Sequence, residues 1–218
     1  MRNFVGLTLV LLLASCRTPS TVSPISFPLQ YKHYIMIASP VEFLTLPSCV
    51  AITGVQAVDS RTEKPIGKRF IEGKSTASAD VTVTSDLAEW VRAGGLDAIK
   101  RGGVMPGSAG PTLRLAIDQI VTSEKVLQCS DYWAGSDQIQ SCENDSSGYE
   151  GRIDLSAELL SKSGTSCWKD RVEGSSQNYG YAGSTENYRE TLNYALDRAM
   201  IDLLGSPDFK KAVCSCGG

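Results

Sequence analysis

The sequence contains almost no histidine, because His33 is the only one in 218 residues. Ser-His-Asp and Cys-His mechanisms need a histidine to take the proton of the nucleophile. His33 lies in a stretch rich in proline, serine and threonine, where we expect an exposed structural role. Zinc sites built from several histidines are excluded as well. The sequence therefore predicts no catalytic residues of these kinds and no metal centre.

Dense clusters of positive charge and long apolar runs are also missing. The chain has 21 Lys and Arg residues against 24 Asp and Glu residues, without the basic patch that binds phosphate backbones, so we expect no nucleic-acid partner. The apolar run from residue 4 to residue 13 is about half of the ~20 residues that span a bilayer. We therefore expect no permanent transmembrane helix.

The first 16 residues have the pattern of an export signal. Arg2 precedes the apolar run, and the run ends in the tetrapeptide LASC, whose last residue is Cys16. This order resembles the lipobox of bacterial lipoproteins, in which the cysteine is acylated and becomes the first residue after cleavage. The sequence predicts a signal peptide over 1–15 and a covalent acyl lipid, such as palmitate, on Cys16. A plain signal peptide with an unmodified cysteine is the alternative.

The predicted anchor also indicates a location. Two or three acyl chains hold a protein stably at a bilayer, whereas a single chain does not. The residue after Cys16 is Arg17 and not the aspartate that, by resemblance to Gram-negative sorting, retains lipoproteins in the inner membrane. We expect the protein on the periplasmic face of the outer membrane, with the acyl lipid as its only cofactor.

Six cysteines remain besides Cys16, and an even number in an oxidising compartment favours disulfide bonds over metal ligands. We favour a first pair, Cys129 with Cys142, which flanks a polar loop. Closing that loop would stabilise the fold by about 3 kcal/mol in the chain-entropy model.

The last two cysteines, Cys214 and Cys216, are separated by one residue. A bridge between them would be too tight, so each is expected to pair elsewhere, with Cys49 and Cys167 as candidates. A zinc or redox site at this pair is the alternative, although no second paired-cysteine motif accompanies it.

The chain divides into a signal peptide over 1–15, a tether over 16–48 and one domain over 49–218. The tether is predicted from its prolines, serines and threonines, which favour an extended chain. Within it, the stretch YKHYIMIAS has strand-type residues and could pair with an edge of the domain. The 203 residues left after cleavage suffice for one domain with a sizeable core.

Apolar patterns in the domain predict strands and helices in a definite order. Leu113, Leu115, Ile117 and Val121 are expected on one side of a strand, and residues 153–159 repeat this alternation. Helices are predicted after Ser85, with Gly94-Gly95 approaching a sheet closely, and after Ser184. The fold class is therefore α/β of the α+β type. We expect a two-layer sandwich, with helices packed on one face of a mainly antiparallel sheet.

Several stretches resemble the YajG-like family of small periplasmic lipoproteins and, more distantly, the auxiliary lipoproteins of lipid ABC transporters. They are the lipobox, AVDSRTEKPIG, SDLAEWV, LRLAIDQI and ALDRAMIDLLGSPDFKKAV. The resemblance covers nearly all of the mature chain and implies a periplasmic lipoprotein without established catalytic residues. The cysteines and the polar insertion over 130–148 depart from the family pattern.

Two stretches are candidates for partner binding. Tyr179 and Tyr181 lie in SSQNYGYAGS, whose composition is typical of an adaptable contact loop. Tyr132 and Trp133 lie in the polar loop between the two favoured cysteines. Alternation at the end of a strand is the alternative for Tyr179 and Tyr181, and packing of Trp133 against the core is the alternative for the polar loop.

The expected function is a non-catalytic binding or accessory domain of the cell envelope, with an envelope protein or a transporter as the possible partner. One alternative is an accessory subunit of a lipid ABC-transport complex. The other is a hydrolase of envelope polymers, in which Asp118 would work with Asp154 or Glu158 on the solvated face of neighbouring strands.

Overall fold

The computed structural model describes residues 22–34, 45–49, 51–71, 74–107, 110–127, 131–134, 137–140 and 146–216. Within these ranges the secondary-structure elements follow one another as β1 Ile25–Phe27, β2 Gly54–Asp59, β3 Gly67–Ile71, β4 Lys74–Val83, α1 Leu87–Arg101, β5 Thr112–Val126, β6 Asp131–Ala134, β7 Asp137–Gln140, β8 Ser146–Leu160, β9 Ser166–Tyr181, α2 Thr185–Gly205 and α3 Pro207–Cys216. None of the helices in these ranges is long and apolar enough to cross a membrane.

The main sheet has seven strands and is not closed. Its order is β1-β4-β3-β5-β8-β9, and β2 pairs with the first half of β5, while β3 pairs with the second half. The longest pairings, β5 with β8 and β8 with β9, are antiparallel. Three shorter pairings, β1 with β4, β2 with β5 and β3 with β5, are parallel. The helices lie on one face, so the predicted two-layer α/β class is confirmed.

Two names describe the ends of this sheet. The upper end is where β5 finishes at Val126 and β9 finishes at Tyr181, beside the start of β8 at Ser146. The lower end is where β5 begins at Thr112, opposite the end of β8 at Leu160.

A bulge in β5 overturns part of the predicted alternation. The pairing with β8 shifts between Ile117 and Gln119, so that the side-chain positions after the shift exchange faces. Ile120 is therefore buried, whereas Val121 is 41% exposed. The prediction that Val121 shares a face with Leu113 was wrong, because a sequence alternation cannot show an inserted residue.

The two glycines in α1 let neighbouring elements approach the helix. The predicted close approach to the sheet is confirmed for Gly95, whereas Gly94 faces α2. A Cβ on Gly95 would lie 3.0 Å from the Leu115 side chain of β5. A Cβ on Gly94 would lie 2.6 Å from the Leu196 side chain of α2. These contacts explain why glycines stand in a helix interior, where each costs about 1 kcal/mol relative to alanine.

The N-terminal segment over 22–34 is part of the fold and not a tether. Its strand β1 pairs with β4, and Phe27 and Leu29 are 1% and 2% exposed. The prolines on either side of β1 are compatible with an edge strand, where a missing N–H is tolerated. The predicted tether over 16–48 is therefore wrong for these residues, because a proline-rich composition does not reveal apolar side chains that the domain buries.

The residue that caps α1 also differs from the prediction. Asp86 is the N-cap, and its carboxylate accepts hydrogen bonds from the backbone N–H groups of Ala88 and Glu89. The Ser85 hydroxyl instead binds the backbone of Leu29, where it contacts both N–H and carbonyl at 2.8 Å. Ser85 thus holds the N-terminal segment on the domain. For α2, the predicted cap Ser184 is confirmed.

Two disulfide bonds join α3 to the rest of the domain. Cys214 pairs with Cys49 and Cys216 pairs with Cys167, with Cα–Cα distances of 5.5 and 5.9 Å. These pairings are among the alternatives that the sequence left open. Because disulfides persist in oxidising compartments, they indicate an extracytoplasmic protein.

Candidate functional site

One face of the sheet carries the helices, and the opposite face, which we call the bare face, presents alternate side chains of β5, β8 and β9. Many of these side chains are charged, and opposite charges lie beside each other. They include Arg114, Asp118, Arg152, Asp154, Glu158, Lys169, Arg171 and Glu173. Such alternation is compatible with water and with a polar partner surface.

A cavity of about 650 Å³ opens on the bare face at a break between two strands. Strand β2 ends at Asp59 and β3 begins at Gly67, and both pair with β5, so the loop 60–66 leaves a gap beside the bulge at Asp118. Arg61, Lys68 and Asp154 also line this cavity. The parallel pairings and the bulge together create it, which is why no local pattern reveals it.

The structure brings Asp118 and Asp154 to the same cavity, while Glu158 lies in the neighbouring groove. Asp118 accepts a hydrogen bond of 2.6 Å from Ser156 and lies 3.6 Å from the Arg171 guanidinium. Asp154 forms an ion pair of 2.9 Å with Arg152. Both carboxylates thus have polar partners within the sheet, an arrangement typical of a solvated charged face.

Tyr179 and Tyr181 lie at the upper end of the bare face and are 75% and 69% exposed. They belong to the end of β9, which agrees with the alternative of a strand end and not with a contact loop. Asn178, the residue before Tyr179, faces the helices, where it donates a hydrogen bond to Glu190. The Tyr179 ring lies over Gly148, where an added Cβ would be 3.6 Å away. Both rings are therefore available to a partner.

The other aromatic candidates lie in two short paired strands. Tyr132 pairs with Ile139 and Trp133 with Gln138 in the antiparallel strands β6 and β7. The predicted polar loop thus contains a small sheet of its own. Cys129 and Cys142 lie outside the described residues, as do the signal peptide and Cys16. Their disulfide, the acyl lipid and the binding role of Tyr132 and Trp133 stay predictions.

A buried carboxylate, Glu124, organises the upper end beneath the bare face. It is fully buried and lies 2.8 Å from Nε of Arg69 as an ion pair. It also accepts hydrogen bonds from the Tyr188 hydroxyl at 2.7 Å, the Ser147 hydroxyl at 2.9 Å and the Gly183 backbone N–H at 2.6 Å. The sequence analysis did not single out Glu124, because nothing local indicates these partners.

A second buried carboxylate, Asp197 of α2, holds the N-terminal segment. The Tyr31 hydroxyl lies 2.8 Å from it, the Arg101 guanidinium 2.9 Å and His33 Nδ1 3.0 Å. The Tyr31 hydroxyl is also 3.0 Å from Asp97 of α1. His33 is only 32% exposed, so the prediction of an exposed position was wrong. Its contact with Asp197, 164 residues away, is structural.

Both clusters raise the pKa of a tyrosine. Burial, followed by the hydrogen bond and the charge of Glu124, raises the pKa of Tyr188 far above its ordinary value. Burial and then the charge of Asp197 raise the pKa of Tyr31 in the same direction. In each case the neutral hydroxyl is the form that the folded state favours.

We therefore expect the free energy of unfolding to fall as the pH rises above about 10, the ordinary tyrosine pKa. Above that pH the unfolded chain releases protons that Tyr188 and Tyr31 retain in the folded state, so this contribution is complete below pH ~10 and is lost at higher pH. Urea midpoints measured across this range check the prediction. Tyr188→Phe should flatten the fall, whereas Tyr179→Phe, at an exposed position, should leave it unchanged; equal slopes in both variants would contradict it.

Comparisons with known proteins identify no family. No protein-family model matches the sequence, and no curated protein is similar to it. Among solved structures, the fold is similar to the crystal structure of protein XCC0632 from Xanthomonas campestris, described as a DUF330 protein. That likeness has 10% sequence identity and a TM-score of 0.45, and it covers 85% of this chain and 93% of the other. A likeness of this degree carries no argument about function.

Proposed function

We propose that the protein is a lipid-anchored domain on the periplasmic face of the outer membrane, which binds or organises envelope components without catalysis. The observation that carries the proposal is the pair of exposed tyrosines, Tyr179 and Tyr181, on a sheet face that the helices leave uncovered. Tyrosine combines a large apolar ring with a polar hydroxyl, and such side chains are enriched at contact surfaces. The lipobox around Cys16 supports the anchor.

The anchor is tested by Cys16→Ser in the full-length chain, expressed in a Gram-negative host. We expect the wild-type protein in the outer-membrane fraction with incorporated palmitate, and the variant without label and released from the membrane. The reason is that each buried CH₂ of an acyl chain contributes about 0.8 kcal/mol to membrane binding.

The matched control is Ser20→Ala, which leaves the lipobox intact and should behave as the wild type. Membrane retention of the Cys16→Ser variant would contradict the anchor. Fractionation with the inner membrane would contradict the proposed location.

The binding role is tested by crosslinking the anchored protein in cells, with mass spectrometry of what is captured. Reproducible capture of envelope components that is reduced in a Tyr179→Ala, Tyr181→Ala variant would support it. Enrichment of one transporter subunit would favour an accessory subunit of a lipid-transport complex. Capture unaffected by the double variant would contradict a role for these tyrosines.

The second candidate is a hydrolase of envelope polymers. The observation in its favour is that Asp118 and Asp154 line one cavity, which is large enough for part of a polymer. Turnover of peptidoglycan by the purified protein, abolished by Asp118→Asn with the fold retained, would replace the binding proposal with this one.

A further inference from the structure

The structure holds the chain very soon after the proposed lipid site. Ser23 is seven positions after Cys16, and its carbonyl accepts a hydrogen bond of 3.0 Å from the Arg69 guanidinium. Fully extended chain spans at most ~3.6 Å per residue, so Ser23 cannot be farther than ~25 Å from the acylated residue. This step rests on the proposed anchor. Given the anchor, one part of the domain must stay close to the bilayer.

That part is the upper end of the sheet. Strand β1 runs parallel to β4 and pairs Ile25 with Val81, while β4 is antiparallel to β3 and β3 is parallel to β5. The chain before Ile25 therefore runs toward the end where β5 finishes. A contact between Gly183 and Ile25 agrees with this direction, since a Cβ on Gly183 would lie 3.6 Å from the Ile25 side chain.

The bare face changes character along β9 toward this end. Its lower half presents charged side chains, among them Lys169, Arg171 and Glu173, whereas residues 174–181 contain no charged residue. The outward side chains there end with Tyr179 and Tyr181, which are mostly exposed. Tyrosine is enriched where a protein meets the headgroup region of a bilayer, because its ring prefers the apolar side and its hydroxyl the wet side.

We propose that Tyr179 and Tyr181 rest in the phospholipid headgroups of the bilayer that holds Cys16, and that the domain is thereby oriented on the membrane. We infer a lipid surface as the contact of these two tyrosines, because the short chain between Cys16 and Ser23 brings this end of the sheet to the bilayer. The lower end, with both disulfides, then points away from the membrane. The bare face stands upright, so its charged cavity faces sideways into the periplasm.

The test uses the full-length acylated protein in vesicles of phosphatidylethanolamine and phosphatidylglycerol. The photoreactive amino acid p-benzoylphenylalanine replaces Tyr181, Tyr179 or Met105 in three separate variants. Met105 is the matched control, because it is 77% exposed and lies near the lower end, where Gly107 binds the Ile52 carbonyl ahead of β2. Before irradiation, an unchanged melting temperature establishes that each variant is folded. Flotation of the protein with the vesicles, together with the measured mass of the peptide that contains Cys16, establishes the anchor.

We expect lipid adducts from positions 179 and 181 and none above background from position 105. Two results would overturn the proposed orientation: lipid adducts from position 105 at the same yield, or protein crosslinks without lipid adducts at positions 179 and 181. If the protein is still acylated and still floats with the vesicles, the anchor itself is unaffected by either result. A Cys16 peptide without acyl chains would overturn the anchor itself, and the orientation would fail with it. The two failures are therefore distinguishable.

Discussion

Removal of the disulfide between Cys49 and Cys214 should lower the free energy of unfolding by about 5 kcal/mol, because the bond closes a very long loop of the unfolded chain. The two cysteines are 165 residues apart in sequence. In the chain-entropy model the stabilisation grows with the logarithm of this separation. The bond also fixes α3 at the lower end of the sheet, where Phe209 and Val213 are buried.

The measurement is urea unfolding of the Cys49→Ala, Cys214→Ala variant, followed by the fluorescence of the buried Trp90. The matched control removes the other bond, between Cys167 and Cys216, whose separation is 49 residues. For this shorter loop the chain-entropy model predicts a loss of unfolding free energy that is smaller by about 1 kcal/mol. A smaller loss from the longer loop would contradict the entropic account.

Glu124→Gln should destabilise the fold by about 4 kcal/mol, since breaking a buried ion pair leaves an uncompensated charge. Arg69, the partner in that pair, is only 11% exposed and has little access to water. The amide would also lose one of the two oxygens that accept hydrogen bonds from Tyr188, Ser147 and Gly183. The whole upper end of the sheet depends on this carboxylate.

The measurement is the urea midpoint of unfolding for Glu124→Gln and for the control Glu173→Gln. The Glu173 side chain is 61% exposed and pairs with Arg152 on the bare face. The control should change the midpoint little, because exposed ion pairs contribute little to stability. Similar midpoints for the two variants would show that Glu124 is not the centre of the upper end. Restoration of stability by a second change, Arg69→Met, would attribute the loss to the stranded charge.

Local patterns in the sequence determined the fold class and several details. The apolar stripe and the cap Ser184 predict α2, because both act within a few residues. The predicted alternation is correct throughout 153–159 in β8 and correct in β5 up to the bulge at Asp118. An even number of cysteines predicts disulfides, but their pairing depends on distances in space. Of the candidate binding residues that the sequence named, Tyr179 and Tyr181 are exposed in the structure, and their binding role stays a prediction.

Tertiary structure alone decided which distant residues meet. The segment over 22–34 resembles a tether in composition, yet it is held by Asp197 and Ser85, which are far away in sequence. The cavity beside Asp118 exists because two separate strands share one neighbour and the bulge shifts the register. Short-range periodicity reports the local backbone and its buried side. Buried charge pairs, strand order and the position of the tyrosines relative to the N-terminal segment arise from long-range packing, which no local pattern encodes.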